Sequence, residues 1–232
     1  MIAENLKQVE ERIEAACRQA GRDRGSVRLV AVSKTKPAEA IAEAYAAGQR
    51  LFGENHAQEI VAKKPVLPED IRWHFIGNLQ KNKVKYLVGN VAMIHSVNSE
   101  GLAAEIEKQA AKHGIVQKIL LEVNIAGEES KQGAAPDQIL PLLQFCEAQP
   151  HIKLCGLMAV APQAENPEES RPVFVRLRRL REELRPLLKD PEAFRELSMG
   201  MSGDFEVAVE EGATLIRVGT LIFGRRQYPP QK

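Results

Sequence analysis

Short apolar runs alternate with helix-like stretches along almost the whole chain, and this alternation constrains the fold more than any other feature. The runs are RLVAVS (28–33), RLFGE (50–54), IRWHFIG (71–77), VAMIHSV (91–97), KILLEVNI (118–125), KLCGLMAV (153–160), ELSMGM (196–201) and TLIRVGT (214–220). Between them lie segments with periodic Ala, Leu and Ile among charged residues, such as AEAIAEAYAAG (38–48) and EGLAAEIEKQAAKHG (100–114). Gly48 and Gly114 end two of these, where a helix C-terminus favours a residue tolerant of positive φ. Eight strand candidates alternating with helices argue for a parallel sheet, and eight is the number that closes a barrel. The expected fold is therefore α/β, a (β/α)8 TIM barrel over 28–226, with an open doubly wound sheet as the rival topology. Ile2, Leu6, Val9, Ile13 and Ala16 recur at helical spacing. They add an amphipathic N-terminal helix, over 1–22, on the outside of the barrel.

With 232 residues, 44% of them hydrophobic, the chain can bury one sizeable core, and 1–232 reads as a single domain without linker or further repeat. Acids and bases nearly cancel to a net charge of +1, which gives no electrostatic argument for nucleic acid or a membrane surface as partner. The basic stretch RLRRLREELR (176–185) carries Leu177, Leu180 and Leu184 at helical spacing and reads as an outer helix with a solvated face. KNKVK (81–85) has no aromatic stacking residues among its lysines. No segment approaches the ~18 apolar residues of a spanning helix. The first twenty residues carry acids throughout, unlike a signal peptide. Cys17, Cys146 and Cys155 fit no metal or redox spacing and point to reduced thiols in a cytoplasmic protein. Metal-ligand spacings, a G-x-S-x-G elbow and a Walker loop are all missing from the sequence.

In a barrel, chemistry sits just past the C-terminal ends of the strands. Side chains alternate along a strand, so Val30, Val32 and Lys34 share one face, and Lys34 is the last of them. A lysine there can form a Schiff base if its surroundings lower its pKa, although a plain surface lysine is the other reading. Lys36 precedes Pro37 and belongs to the start of the next helix. In SMGMSGDFEVAVEEG (198–212), Ser202 and Gly203 stand at a helix start, where free N–H groups can hold an anion. Gly219 and Thr220 follow strand eight, and loops after strands seven and eight commonly hold phosphate. Tight turns alone are the other reading of these glycines. Arg217 lies inside strand eight and needs an acceptor, from a ligand or from an internal ion pair. His74 is read as a core histidine. Asn55 and Asn78 follow strands two and three on the same side, and Met158 ends strand six where it can pack on a ring. The stretch APQAENPEESRP (161–172) is the most loop-like.

Six motifs stand in order: AVSKTKP (31–37), FGENHAQE (52–59), WHFIGNLQKNK (73–83), VNIAGEESKQG (123–133), GLMAVAP (156–162) and LSMGMSGDFEVAVEEGATLIRVGTLIFG (197–224). Together they resemble the pyridoxal phosphate homeostasis protein family from about residue 28 to 226, a family that shares the barrel of the alanine racemase N-terminal domain. The resemblance implies pyridoxal 5′-phosphate (PLP) as cofactor, held as a Schiff base on Lys34. It implies that Ser202, Gly219 and Thr220 cradle the phosphate, with Ser198 and Met199 lining the neighbouring wall. Arg217 would face the pyridine nitrogen, and Asn55, Asn78 and Met158 would line the ring and mouth. His56 and Asn78 fall at places where the pattern varies.

A racemase resembling this barrel also needs a tyrosine supplied by an extra β-domain across a dimer interface. The three tyrosines here are Tyr45 and Tyr86, in predicted outer helices, and Tyr228 in the tail after Gly224. The expectation is thus a monomeric PLP carrier and buffer, serving PLP-dependent apoenzymes and assigned no catalytic residue. A PLP-dependent enzyme with weak racemase-like activity is the alternative, and a sugar-phosphate barrel enzyme lacking the Schiff base is a third.

Overall fold

The computed structural model describes residues 1–127 and 132–224. Strands β1 (Arg28–Val32), β2 (Leu51–Glu54), β3 (Arg72–Phe75), β4 (Met93–Val97), β5 (Gln117–Glu122), β6 (Ile152–Met158), β7 (Glu196–Met201) and β8 (Leu215–Val218) pair in parallel and in chain order. The ring closes where Arg28 to Ala31 of β1 register with Leu215 to Val218 of β8. That pairing excludes the open doubly wound sheet, and each of the eight apolar runs is a strand.

The helices are α1 (Ile2–Gln19), α2 (Ala38–Ala46), α3 (Ala57–Lys63), α4 (Glu100–His113), α5 (Ile139–Glu147), α6 (Arg171–Leu184), α7 (Phe205–Glu210) and α8 (Thr220–Phe223). The β3–β4 crossover instead carries a 3-10 helix, Lys81–Tyr86, with Tyr86 exposed on it. Gly114 caps α4 at φ 63°, and Gly48 follows α2 at φ 103°, as their positions in the sequence require. The N-terminal helix ends earlier than residue 22 because Gly21, at φ 64°, turns the chain out of it. Its buried face is Leu6, Val9, Ile13, Ala16 and Cys17, packed on α2, α7 and α8 across the seam where β8 meets β1. Each such aliphatic side chain contributes roughly 1.5–3 kcal/mol when fully buried. Arg12 adds a two-pronged pair with Glu206 of α7, both contacts at 2.8 Å.

The basic helix α6 buries Phe174, Leu177 and Leu184, with Leu180 packed beside them. Its Arg171 reaches Glu210 and Glu211 at 2.6 and 2.8 Å, so part of its charge is spent on α7. No helix among the described residues is long and apolar enough to cross a membrane.

Alternation along the strands makes two environments. Leu29, Ala31, Phe52, Trp73, Phe75, Ile94, Ile119, Leu121, Leu197, Met199, Ile216 and Val218 face the helices. Val30, Leu51, Met93, Leu120, Cys155, Met158 and Leu215 form a separate apolar plug inside the barrel. Above this plug the interior becomes polar, and that change positions the site.

Candidate cofactor-binding site

A cavity of about 670 Å³ opens at the C-terminal ends of the strands, a size usual for small-ligand sites. Lys34, Asn55, Asn78, Ser202, Arg217, Gly219 and Thr220 all line it. Residues nearly two hundred positions apart thus converge because β8 lies beside β1. Val32 and Lys34 follow Val30 on the inward face, and only Lys34 is long enough to carry a charge into the opening. Lys36 takes a different course, its ammonium donating to the carbonyls of Phe223 and Gly224 at 2.8 and 3.1 Å. It ties the end of α8 to the start of α2, whereas Lys34 faces the cavity.

The turns after β7 and β8 line the same cavity. The hydroxyl of Ser202 accepts from the Gly219 N–H at 3.3 Å, which joins the two turns. Asp204 Oδ1 accepts from the Met201 N–H at 2.7 Å and fixes the first of them. Short helices begin immediately beyond, at Phe205 and Thr220, and a helix start leaves its first N–H groups without intrahelical acceptors.

Arg217 forms the floor. Its Nη1 donates to Ser198 Oγ at 2.6 Å and its Nη2 to the Ala159 carbonyl at 3.0 Å. Burial pulls the guanidinium down to about 10, so it is still charged at neutral pH. Below it runs a hydrogen-bonded chain through the barrel. Ser198 Oγ lies 2.9 Å from His95 Nδ1, and His95 Nε2 lies 2.8 Å from His74 Nδ1. Guanidinium only donates, so Ser198 accepts from Arg217; its own proton has no other partner among the described residues and goes to His95 Nδ1. His95 then carries its proton on Nε2 and donates to His74. Burial keeps both imidazoles neutral, His74 pushed down to about 3 and His95 far below its usual value.

Glu122, the last inward residue of β5, also lines the cavity and was missed in the sequence. Burial pushes its carboxyl up to about 7, partly offset by the charge of Arg217. Its Oε2 and the Oδ1 of Asn55 are buried and make no hydrogen bond among the described residues. The signal for Glu122 was the one used for Lys34: it follows Leu120 on the inward face and ends its strand.

The structure places three of the expected site residues away from the cavity lining. Ser198 does not line the cavity wall; it lies wholly buried beneath, as the acceptor for Arg217. Met199, one residue on, points the other way into the layer between strands and helices. Met158 is buried in the apolar plug below the opening and does not line the cavity. Met201 and Val160 are exposed apolar side chains in its lining. Tyr45 belongs to the exterior, where its hydroxyl donates to Asp70 at 2.7 Å, while Tyr228 lies outside the described residues.

Comparison with known proteins agrees with this architecture. The family model for the alanine racemase N-terminal domain matches residues 5–227. The pyridoxal phosphate homeostasis protein of Aquifex aeolicus is 50% identical over 97% of this chain and 98% of its own length. Its human namesake is 41% identical over 96% of this chain and 86% of its own length. Among solved structures, PipY of Synechococcus elongatus with PLP bound superposes with a TM-score of 0.84 at 38% identity, covering 97% of this chain and all of PipY. An alanine racemase from Clostridium difficile shares the fold at a TM-score of 0.71 and 13% identity, over 97% of this chain and 57% of that enzyme. Matched over nearly its full length by these relatives, the chain belongs to the pyridoxal phosphate homeostasis protein family.

Proposed function

We propose that this chain binds PLP in the cavity at the strand ends, as a Schiff base on Lys34, and acts as a monomeric cytoplasmic carrier and buffer of the cofactor. The observation that carries the reading is that Lys34 lines one cavity together with the joined turns of Ser202 and Gly219. An amine and two helix starts around one cavity suit a ligand that carries both an aldehyde and a phosphate. When bound, PLP supplies an aldehyde that condenses with amines and a ring that withdraws electrons from them. Ser202, Gly219 and Thr220 would hold the phosphate, Arg217 the ring nitrogen, and Asn55 and Asn78 the open side. The unpartnered Asn55 Oδ1 and Glu122 Oε2 fit a polar ligand, since buried polar atoms ordinarily have partners.

A carrier must also release its cargo. Asn78, Gly203 and Thr220 are exposed at the mouth and Lys34 is only half-buried, so water and a competing amine can reach the attachment point. The charged Arg217 opposes protonation of a ring nitrogen placed against it, which weakens the ring as an electron sink. The open mouth favours storage over the alternative of a weak racemase-like enzyme, whereas an arginine at the ring is compatible with both.

The test is the visible spectrum of purified protein mixed with PLP, before and after borohydride, followed by peptide mass mapping and by transfer to a PLP-dependent apoenzyme. A yellow protein labelled at Lys34, whose unreduced form activates the apoenzyme, is expected. A colourless, unlabelled protein defeats the reading, and turnover of amino acids at rates typical of enzymes replaces carrier with catalyst.

A further inference from the structure

Ser33, Lys34, Thr35 and Lys36 form a tight turn in which the Lys36 N–H donates to the Ser33 carbonyl at 3.0 Å. Thr35 has φ 63°, the one positive value at a non-glycine residue among the described residues. A turn with positive φ at its third residue is type II, and glycine ordinarily supplies that position. A β-branched side chain there is strained. Such strain persists only where surrounding groups enforce it.

The enforcing groups form a closed network on α3 and β2. The Thr35 N–H donates to Glu59 Oε2 at 2.8 Å. Lys63 Nζ donates to the same oxygen at 2.6 Å, to Glu54 Oε1 at 2.7 Å and to the Ser33 carbonyl at 3.0 Å. The Ser33 hydroxyl donates to Glu54 Oε1 at 2.7 Å. Ser33, Glu54 and Lys63 are all buried. The residues on both sides of Lys34 are therefore tied, directly or through Glu59, to one ammonium. Ion pairs buried this way are often matched in stability by well-packed apolar side chains. What this network supplies that apolar packing does not is direction: it dictates the backbone on either side of one lysine.

We propose that Glu54, Glu59 and Lys63 are positioning residues for Lys34, an ionic clamp that enforces the strained turn and so fixes where the Lys34 amine stands in the cavity. This rests on the reading of Lys34 as the cofactor lysine. Without the clamp, the turn relaxes to negative φ at Thr35 and the Lys34 side chain loses its aim, while the barrel keeps its strands.

The experiment compares wild-type protein, Glu59→Ala and the double variant Glu59→Ala/Thr35→Gly. Each is mixed with PLP, and the rate of attachment is followed by absorbance across pH, with borohydride mapping and thermal unfolding alongside. The wild type is expected to label at Lys34. Glu59→Ala is expected to slow attachment by up to about a hundredfold, the loss that a misplacement of about 1 Å brings. Thr35→Gly should restore most of that rate, because glycine adopts the turn without enforcement. Restoration separates aim from stability, since glycine also favours the unfolded chain. An unchanged rate in Glu59→Ala overturns the clamp, and so does a loss that Thr35→Gly fails to restore. A wild type that does not label at Lys34 overturns instead the site reading on which the clamp rests.

Discussion

Arg217 Nη1 donates to the hydroxyl of Ser198 at 2.6 Å, so the cation that faces the cavity is held from inside the barrel. The serine is in turn bonded to His95, and among the described residues its oxygen is the only hydrogen-bonded link between the guanidinium and the two neutral imidazoles. Ser198→Ala deletes that link and leaves a buried donor on Arg217 and a buried acceptor on His95. Each orphaned group costs about 1–3 kcal/mol. Urea unfolding of the ligand-free variant should therefore show a loss of about 3 kcal/mol. A loss below about 1 kcal/mol means that Arg217 and His95 find other partners and that the chain is not the support described here.

Glu122 gives the ligand-free protein a pH dependence of definite sign. Its folded value, about 7, lies above the ordinary carboxylate value of 4.5 because burial opposes its charge. The folded state thus holds a proton that the unfolded state has released. The stability this contributes is full below about pH 4.5 and is lost as pH rises through about 7, on the order of 3 kcal/mol in total. Glu122→Gln removes the titration. The buried histidines have the opposite slope, but they are present in both proteins and cancel in the difference. Urea midpoints from pH 5 to 8 should show the variant gaining on the wild type as pH rises. Parallel curves would place the Glu122 carboxyl in water rather than against the cavity floor.

The strands were legible because a parallel strand covered on both faces must be apolar nearly throughout, and Lys34 because alternation from Val30 points to it just past the end of β1. The same alternation, applied to Leu120, points to Glu122. Applied to Ser198 as an inward residue it sends Met199 outward, against the wall position that family resemblance implied for both. The polar floor was a different matter. His95 and Ser198 are 103 residues apart and meet only because β4 and β7 face one another across the barrel. No local pattern carries that information. The clamp around Lys34 is illegible for the same reason: nothing in SKTKP announces that Thr35 takes a glycine's conformation, which Glu59 and Lys63 impose from another element.

Gly77 is where the loops bearing Asn55 and Asn78 touch. A Cβ on Gly77 would lie 2.3 Å from the Asn55 carbonyl oxygen and 2.6 Å from its Cα. These are backbone atoms, so the loops must separate. Gly77→Ala should cost about 1–3 kcal/mol in urea unfolding, in the range of other overpacking changes. It should also weaken PLP binding, since Asn55 moves with its backbone. Full stability together with full affinity would show that the two loops have slack that their contact does not reveal.

Ser202 and Arg217 are assigned to opposite ends of the ligand, and comparing PLP with pyridoxal, which lacks the phosphate, separates them. Ser202 is half-buried and its one described bond, from the Gly219 N–H at 3.3 Å, is long. Ser202→Ala should therefore leave the melting temperature nearly unchanged. A hydrogen bond to a charged group contributes about 1.5–3 kcal/mol, which corresponds to a loss of PLP affinity of about tenfold or more. Pyridoxal affinity should not change, because the lost contact is to the phosphate. Arg217→Met should weaken PLP and pyridoxal by the same factor, because both carry the ring. Equilibrium titrations of both variants with both ligands supply the four numbers required. If Ser202→Ala weakens pyridoxal as much as PLP, the phosphate does not sit between the turns after β7 and β8, and the ligand lies in the cavity the other way round.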